Sequence, residues 1–365
     1  MKRALCVILC IVCVVFFPFS SAGASGAFLI MDGRTATVLE QENGDVRLPM
    51  ASTTKVMTAL VVLENAELSE AVTIPKEAVG VEGSSLYVKQ GEIYTVEELL
   101  YGLMLQSAND SAVALAVHVG GSIDGFVSLM NDRSNKLGLT NTRFMNPHGL
   151  PADGHYTTAR ELALIMRAAM NHSDFRTITA TKRYDVKNQT IVNHNKLLTL
   201  YSSCIGGKTG YTIAAGRCLV TVAQKKEVPL ICVTLGRRDD WSIHANAYEK
   251  WFPEIKNELI IGKEEFSVQL PLAGNGTVTA VNRDSIAVGL FRYDGSAAVR
   301  VLGGPFVYGN KDAGAVVGTV EYWYKKVKIW ESPLVLTDKI RVEPKKELFI
   351  TRIIRFFRRL FLKKS

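Results

Sequence analysis

The chain has 365 residues, of which 47% are hydrophobic and 21% are charged, a composition typical of a globular protein long enough for two domains and unlike that of a disordered chain. The formal net charge of +8 brings a nucleic-acid partner into consideration, but the excess lies at the C-terminus and no zinc-finger, helix-turn-helix or RNA-binding signature accompanies it. We therefore expect no nucleic-acid partner and expect the basic end to face an anionic membrane surface.

The N-terminus has the three parts of a secretory signal peptide. Lys2 and Arg3 form a charged start, residues 4–19 are apolar, and Ala22-Gly23-Ala24 offers small residues for cleavage. We expect cleavage after Ala24, so that residues 1–24 are removed and the mature protein lies outside the cytoplasm. A retained membrane anchor is the alternative, and the shortness of the apolar run disfavours it.

After this segment, the hydrophobic pattern predicts strands at both ends of a helical middle. Strands are expected at 27–31, 35–40, 184–192, 219–223 and 230–235, and helices at 55–63, 95–119 with a break near Ser107, 124–137, 158–170 and 242–252. Thr158 and Glu161 have the spacing of a capping box at the start of one helix. This order predicts an α+β or α/β catalytic domain, a sheet flanked by helices, whose sheet joins N- and C-terminal strands.

The composition changes after the last predicted helix. Short alternating runs separated by Gly, Asn and Asp turns prevail, and we assign residues 259–340 to a separate small all-β domain that follows a catalytic domain at 25–258. In the final segment, 341–365, a helical wheel separates an aromatic and aliphatic face from an arginine face. This separation predicts a basic amphipathic helix lying in the membrane interface, the alternative being a helix packed on the protein's own core.

Three cysteines remain once the signal peptide is removed, namely Cys204, Cys218 and Cys232. Their number is odd and no C-x-x-C spacing exists, so neither a disulfide framework nor a zinc site is indicated. All three lie in or near predicted strands, which favours buried free thiols and leaves one oxidised pair as the alternative.

The first of three short motifs pairs Ser52 with Lys55. On a helix, residues three apart share a face, so the amine can take the proton that a serine must lose to become a nucleophile. A lysine serves as a base only if burial and a neighbouring cation lower its pKa, and Lys208 is a candidate for that neighbour. Alone, the motif is weak, because a helix cap beside a surface lysine would look the same.

The second motif is Ser107-Ala108-Asn109. In an extended loop the two polar side chains would point the same way, the hydroxyl as a proton relay and the amide as a holder of a substrate peptide group. A helix start rich in capping residues is the alternative reading.

The third motif is Lys208-Thr209-Gly210, expected on a strand. A cation and a hydroxyl close together suit a substrate carboxylate, and the glycine lets a ligand backbone come near. A glycine-rich turn with an exposed lysine is the alternative.

The three motifs occur together and in order, and the set is similar to the S-x-x-K, S-D-N and K-T-G motifs of class A β-lactamases and penicillin-binding proteins. The chain resembles the D-alanyl-D-alanine carboxypeptidases among the low-molecular-mass penicillin-binding proteins over nearly its whole length. The flanking segments that carry the resemblance are Glu97-Glu98-Leu99-Leu100, Ser107-Ala108-Asn109-Asp110, Asn146-Pro147-His148-Gly149-Leu150, His155-Tyr156-Thr157-Thr158-Ala159, Asn193-His194-Asn195-Lys196-Leu197-Leu198 and Lys208-Thr209-Gly210-Tyr211-Thr212.

The resemblance implies a serine peptidase that removes the terminal D-alanine from peptidoglycan stem pentapeptides. Ser52 would form the acyl-enzyme, Lys55 would take its proton, and Ser107 would pass the proton to the leaving amine. The resemblance implies substrate binding by the following residues: Asn109, Lys208, Thr209, Gly210 and Tyr211, with the amides of Ser52 and Tyr211 as the oxyanion hole. β-Lactams would acylate Ser52, and neither a metal nor a cofactor is implied.

Departures from the family pattern leave alternatives open. Ile205-Gly206-Gly207 replaces the Asp–Gly pair of many relatives. Some relatives use an arginine for the substrate carboxylate, and whether Arg237 or Arg238, which follow a predicted strand, takes that place is left open. Ala108 stands where a class A β-lactamase has Asp, which disfavours that enzyme. A transpeptidase and a β-lactam-sensing protein that acylates without turnover remain alternatives. His148 and His155 are expected to have structural roles in a loop.

Overall fold

The computed structural model describes residues 26–225, 228–273, 276–291 and 295–341. The predicted signal peptide, 1–24, and nearly all of the predicted amphipathic segment, 342–365, lie outside the described residues. Within the described ranges, no single helix is long and apolar enough to cross a membrane.

The first part of the chain mixes short strands with helices. Its strands are β1 Ala27–Asp32, β2 Val38–Glu42, β3 Ala71–Thr73, β4 Ile93–Thr95, β5 Arg183–Val186, β6 Gln189–Val192, β7 Cys204–Thr212, β8 Gly216–Lys225 and β9 Val228–Leu235. Its helices are α1 Lys55–Asn65, α2 Val96–Tyr101, α3 Asn109–Gly120, α4 Ile123–Lys136, α5 Ala159–Ala169, α6 Ser173–Ala180, α7 Leu197–Leu200 and α8 Asp240–Trp251. Short 3₁₀ turns occupy Ala51–Thr54, Lys76–Ala78 and Phe252–Glu254, and a wide π turn occupies Gly102–Gln106.

An antiparallel five-stranded sheet, in the order β2-β1-β9-β8-β7, joins the two ends of this part, as the sequence predicted. Strand β1 is apolar at nearly every position because both faces of the sheet are covered. Leu29 and Met31 pack into the main core with α1 and α5, whereas Ile30 packs on the other face against Tyr248 of α8. Strand β7 lies at the edge of the sheet, next to the turn that precedes α1.

A separate β-rich domain follows. Its strands are β10 Lys256–Ile261, β11 Ser267–Pro271, β12 Thr277–Asn282, β13 Ile286–Leu290, β14 Ala298–Gly303, β15 Val316–Tyr324 and β16 Val327–Leu336. Five of them form a sheet in the order β11-β12-β16-β15-β14 over a core of its own that includes Val320, Tyr322 and Leu334. The helical and sheet composition of the first part and this second domain confirm the predicted fold class. The first strand, β10, begins before the predicted start at 259.

Two predicted strands differ from the structure because a residue in each has a positive φ angle, which breaks the extended backbone. The predicted strand at 184–192 is a hairpin, β5 and β6, because Lys187 adopts φ +50° in the turn between them. The predicted strand at 35–40 begins later because Ala36 adopts φ +55°. Thr158 does cap α5 by accepting from the Glu161 amide, but the Glu161 carboxylate accepts from the Thr140 and Asn141 amides instead of completing a capping box.

The three cysteines are free thiols and buried, as predicted. Cys204, Cys218 and Cys232 lie on β7, β8 and β9. Burial raises the pKa of all three thiols, that of Cys218 to about 12.

Candidate active site

Ser52 lies on the 3₁₀ turn that leads directly into α1, and Lys55 is the first residue of that helix. The spacing therefore places the two side chains together, with Lys55 Nζ 3.1 Å from Ser52 Oγ. The lysine is fully buried, whereas the serine stands at the wall of a cavity.

The surroundings of the Lys55 amine provide two further hydrogen-bond acceptors and lower its pKa. Its Nζ donates to Asn109 Oδ1 at 2.6 Å and to the His148 carbonyl at 2.7 Å. Burial, and secondly the positive charge of Lys208, lower the pKa of Lys55 well below its ordinary value, against a smaller opposing effect of Asp110. A neutral amine has two N–H groups, and these two acceptors use both. Its lone pair is then left to accept the hydroxyl proton of Ser52, which is the arrangement of a base beside a nucleophile.

The second motif reaches the site by a different backbone path from the one predicted. The extended loop expected at Ser107-Ala108-Asn109 is wrong, because Ser107 adopts the left-handed conformation (φ 61°, ψ 31°) and Asn109 already begins α3. The cause is the π turn before it, which is closed by a bond from the Ser107 amide to the Gly102 carbonyl. The Ala108 amide bonds the same carbonyl at 3.0 Å. The Ser107 side chain lines the same cavity as Ser52. Asn109 faces Lys55, and its amide nitrogen donates to the Glu82 carbonyl.

Asp110 directly follows the second motif, and its side chain was not assigned a role from the sequence. Its carboxylate accepts from the amides of Leu86 and Val88 at 3.1 and 3.3 Å and from the Ser85 hydroxyl. These bonds attach the loop before β4 to the start of α3. The signal in the sequence is an acidic residue in the first turn of a helix, which is too common to be assigned a role without the fold.

The third motif lies on a strand, as predicted, and this strand, β7, is at the edge of the sheet. The Gly207 amide and carbonyl both bond the Thr179 hydroxyl at 2.9 Å, so this residue faces away from β8. Alternation along an antiparallel strand turns Thr209 and Tyr211 to the same open edge. The Thr209 carbonyl accepts from Lys208 Nζ at 2.9 Å, in agreement with that direction. The Tyr211 amide therefore faces the side where the Ser52 turn lies.

Gly210 allows this edge to approach the turn. A Cβ at this position would lie 2.9 Å from the Ser52 nitrogen and 3.1 Å from the Thr53 nitrogen, closer than real Cβ atoms normally come. Lys208, two residues earlier, is buried, and burial lowers its pKa to about 7.

A cavity of about 960 Å³ opens in front of these groups. Ser52 and Ser107 line it together with Thr209, Gly210 and Tyr211, whereas Lys55, Lys208 and Asn109 are buried. Its volume is in the range of ligand sites. The structure therefore brings all eight predicted site residues to one place: five line the cavity, and three are buried behind its wall.

Arg217 on β8 also lines the cavity, and sequence analysis did not single it out. It lies opposite Tyr211 in the β7–β8 register, and its guanidinium binds Asp240 through two bonds, of 2.8 and 3.1 Å. A predicted β7–β8 register could have indicated Arg217, since β8 begins at the adjacent Gly216 and Arg217 then pairs with Tyr211 next to the third motif. Arg237 binds Glu42 instead, and neither Arg237 nor Arg238 lines the cavity.

Both loop histidines are held neutral by burial, which lowers the pKa of His148 to about 3 and that of His155 to about 4. His148 contributes its carbonyl to Lys55, and the His155 ring bonds the Thr54 hydroxyl. Among the described residues, no group of three or more His, Cys, Asp and Glu side chains is arranged to hold a metal ion.

Comparisons with known proteins agree on one family. Residues 18–239 match the family described as Peptidase_S11, D-alanyl-D-alanine carboxypeptidase. The chain is 33% identical over 258 residues to D-alanyl-D-alanine carboxypeptidase DacF of Bacillus subtilis, a match that covers 65% of this chain and 66% of that protein. It is 31% identical over 335 residues to D-alanyl-D-alanine carboxypeptidase DacC of Escherichia coli, covering 86% and 84% of the two chains.

A solved structure extends the similarity to the fold. The crystal structure of the D-alanyl-D-alanine carboxypeptidase DacD from Francisella tularensis superposes with a TM-score of 0.62 and 26% identity. The match covers 87% of this chain and 94% of that one, and so includes the β-rich domain.

Proposed function

The chain belongs to the Peptidase_S11 family of D-alanyl-D-alanine carboxypeptidases, and on that premise we propose how its own residues carry out the reaction. The protein is a serine peptidase that removes the terminal D-alanine of peptidoglycan peptides through an acyl-enzyme. The observation that carries our assignment is the buried Lys55 amine, whose pKa burial lowers well below its ordinary value and whose Nζ lies 3.1 Å from Ser52 Oγ at the cavity wall.

Acylation begins when Ser52 Oγ attacks the carbonyl carbon between the two D-alanines while its proton moves to Lys55. Ser107 lies in the same cavity and carries a hydroxyl that both accepts and donates, so it passes the proton to the leaving amine. Water then hydrolyses the ester on Ser52 and restores the free hydroxyl. β-Lactams, whose strained amide imitates the scissile bond, acylate the same oxygen.

The negative charge on the attacked carbonyl oxygen needs two donors. The Ser52 amide is one of the unpaired groups at the start of a helical turn, and the Tyr211 amide faces the open edge of β7. Their approach is the one that Gly210 permits. We assign these two amides as the oxyanion hole.

The substrate carboxylate is held by β7 and β8. Thr209 supplies a hydroxyl, Lys208 supplies positive charge from beneath it, and Arg217 supplies N–H donors at the cavity wall. Asp240 orients the guanidinium, leaving its remaining N–H groups for a ligand.

The test is release of D-alanine from a peptide ending in Lys-D-Ala-D-Ala by the purified protein, measured beside labelling by a fluorescent penicillin. Ser52→Ala should abolish both, because among the described residues the Ser52 hydroxyl is the one nucleophile that Lys55 Nζ bonds. Ser128→Ala, on the exposed face of α4, is the matched control and should leave both unchanged.

Each failure of this experiment has a distinct meaning. Release that persists in Ser52→Ala would contradict the nucleophile. Labelling of Ser52 without D-alanine release would favour the sensor, and rapid loss of the label would favour a β-lactamase. Transfer to an added amine in preference to water would favour a transpeptidase.

We also propose that the protein is exported and attached to the outer face of the cytoplasmic membrane. The support is the sequence alone: a charged, apolar and small-residue N-terminus, and a C-terminal segment that separates phenylalanines from arginines. The apolar face would enter the interface, and the arginines would bind anionic headgroups.

Deleting residues 345–365 should release the protein from anionic vesicles and leave D-alanine release from a soluble peptide intact, because the site lies in the first domain. Sedimentation with vesicles measures binding. Neutral vesicles and about 1 M salt are the controls, and both should weaken binding of the intact protein. Equal vesicle binding by the two proteins would refute the attachment.

A further inference from the structure

The backbone just before the nucleophile is held in an unusual conformation. Ala51 has φ +46°, a left-handed conformation that residues other than glycine rarely occupy and that persists only where the surrounding structure holds it. Surrounding bonds must therefore hold it. Its carbonyl belongs to the same trans peptide as the Ser52 amide, so the two groups point in opposite directions. Whatever fixes the Ala51 carbonyl also aims the Ser52 N–H.

Thr54 and His155 hold that carbonyl through two consecutive hydrogen bonds. The Thr54 hydroxyl donates to the Ala51 carbonyl at 2.8 Å, and Thr54 Oγ1 lies 2.8 Å from His155 Nε2. The Met145 amide donates to His155 Nδ1 at 3.0 Å. Because this backbone group can only donate, the proton of the neutral ring lies on Nε2 and is donated to Thr54. The direction of every bond is thus determined.

The loop that carries the histidine also closes over the same carbonyl. Gly149 adopts φ +91°, and a Cβ there would come within 2.0 Å of the Ala51 oxygen, so the backbone packs directly on it. Thr54 and His155 are both buried, as is the Ala51 methyl group. A buried, fully directed chain of hydrogen bonds polarises its members and holds one geometry.

We propose that His155 is a positioning residue which, through Thr54 and the Ala51 carbonyl, aims the Ser52 amide into the oxyanion hole. The inference rests on the proposed function, since it presumes that this amide receives the developing oxyanion. His155 itself touches neither Ser52 Oγ nor the Lys55 amine, so it acts through the peptide plane. This positioning role predicts that loss of the His155–Thr54 hydrogen bonds lowers the acylation rate and hardly changes substrate affinity.

The test compares two neighbouring threonines in the full-length protein. Thr54→Val removes the hydroxyl that holds the Ala51 carbonyl, and acylation by a fluorescent penicillin should slow about tenfold to a hundredfold, less than the 10²–10³ that loss of a whole donor costs. Thr53→Val is the matched control, since its hydroxyl bonds the Met50 carbonyl at 2.6 Å on the same turn. It should slow acylation by no more than about twofold.

Three further measurements separate positioning from stability. Thr54→Ser keeps the hydroxyl and should restore the rate. KM for the peptide should change little in Thr54→Val while kcat falls. His155→Phe should slow acylation in the same way, and it serves as the alternative variant if Thr54→Val does not fold.

Two results would overturn the inference while leaving the proposed function standing. One is a Thr54→Val protein with a lower thermal midpoint and an acylation rate equal to that of Thr53→Val. The other is a loss confined to KM. A wild-type protein that neither releases D-alanine nor reacts with penicillin would instead refute the proposed function.

Discussion

At the scale of the residue, the chemistry of this site depends on which atoms surround one amine. Lys55 has two neighbours, Asn109 Oδ1 and the His148 carbonyl, that can only accept hydrogen bonds. Burial lowers its pKa well below the ordinary value, and in the neutral form of the amine the two acceptors use both hydrogens. The lone pair then has one direction left, toward Ser52. A serine activated in this way needs no histidine, which explains why His148 contributes a carbonyl and not a ring nitrogen.

Arg217→Gln should raise KM for a peptide with a free terminal carboxylate about tenfold, since a hydrogen bond to a charged group contributes about 1.5–3 kcal/mol. The same peptide with an amidated C-terminus is the control, and its KM should hardly change. Arg217→Lys, which keeps the charge but not the two-pronged geometry, should lie between. An equal rise for both peptides would show that the arginine only supports the cavity wall through Asp240.

Sequence patterns predicted which residues are reactive better than they predicted the backbone conformation of those residues. Ser52, Lys55 and the Lys208–Gly210 strand follow from motif spacing and alternation. The left-handed Ser107 does not, because it depends on a π turn and on a further bond from the Ala108 amide back to the Gly102 carbonyl. Arg217 and His155 were not assigned to the site for a similar reason: each reaches it through strand register or loop packing, which are tertiary facts.

At the scale of the element, the site is a junction between a sheet edge and a helical turn. An edge strand normally presents unpaired amides to solvent or to another chain. Here β7 presents them to the turn Ala51–Thr54, and the Thr179 hydroxyl satisfies one position further along. We propose that the amides left at this edge, which would otherwise be an aggregation hazard, serve as donors for a substrate.

Gly210→Ala should slow acylation by penicillin about a hundredfold with only a small fall in thermal midpoint. The added methyl group would lie 2.9 Å from the Ser52 nitrogen and would push the strand from the turn, separating the two oxyanion donors. Gly304→Ala, in the second domain, is the control, because a Cβ there meets nothing closer than 3.5 Å. Acylation within about twofold of wild type would contradict the close-approach argument.

The longer helices and the central strands were predicted with small shifts of their ends, since their periodicity covers many residues. The hairpin β5–β6 and the helix α6 were not predicted. A hairpin turn at Lys187 has no glycine to mark it, and an eight-residue helix gives too few turns for a clear pattern.

At the scale of the whole molecule, the two domains differ in how they respond to acid. All six histidines lie between His118 and His244, in the first domain. Burial lowers the pKa of His148 and His244 to about 3 and that of His155 to about 4. An unfolded chain binds these protons near pH 6.5, well before the folded chain does. The free energy of unfolding is therefore unaffected above about pH 6.5 and falls as the pH drops toward 4.

The first domain should accordingly lose stability between pH 7.5 and pH 5 while the β-rich domain changes little. Urea unfolding followed by hydrogen exchange of peptides from each domain measures the two separately. His244→Asn, which removes the most buried of these rings from between Thr221 and Thr234, should reduce the pH dependence of the first domain. Equal losses in both domains would mean that the histidines are not the cause.

The three buried thiols can report the order in which the strands of the sheet separate. Cys204, Cys218 and Cys232 stand on three neighbouring strands, from the edge inward, and are closed to solvent in the folded chain. A thiol reagent can therefore modify each one only when its strand separates from its neighbours. The order in which the three thiols react would therefore record the order in which the strands separate. An acyl group on Ser52 would slow the modification of Cys218 first, because Cys218 borders the cavity.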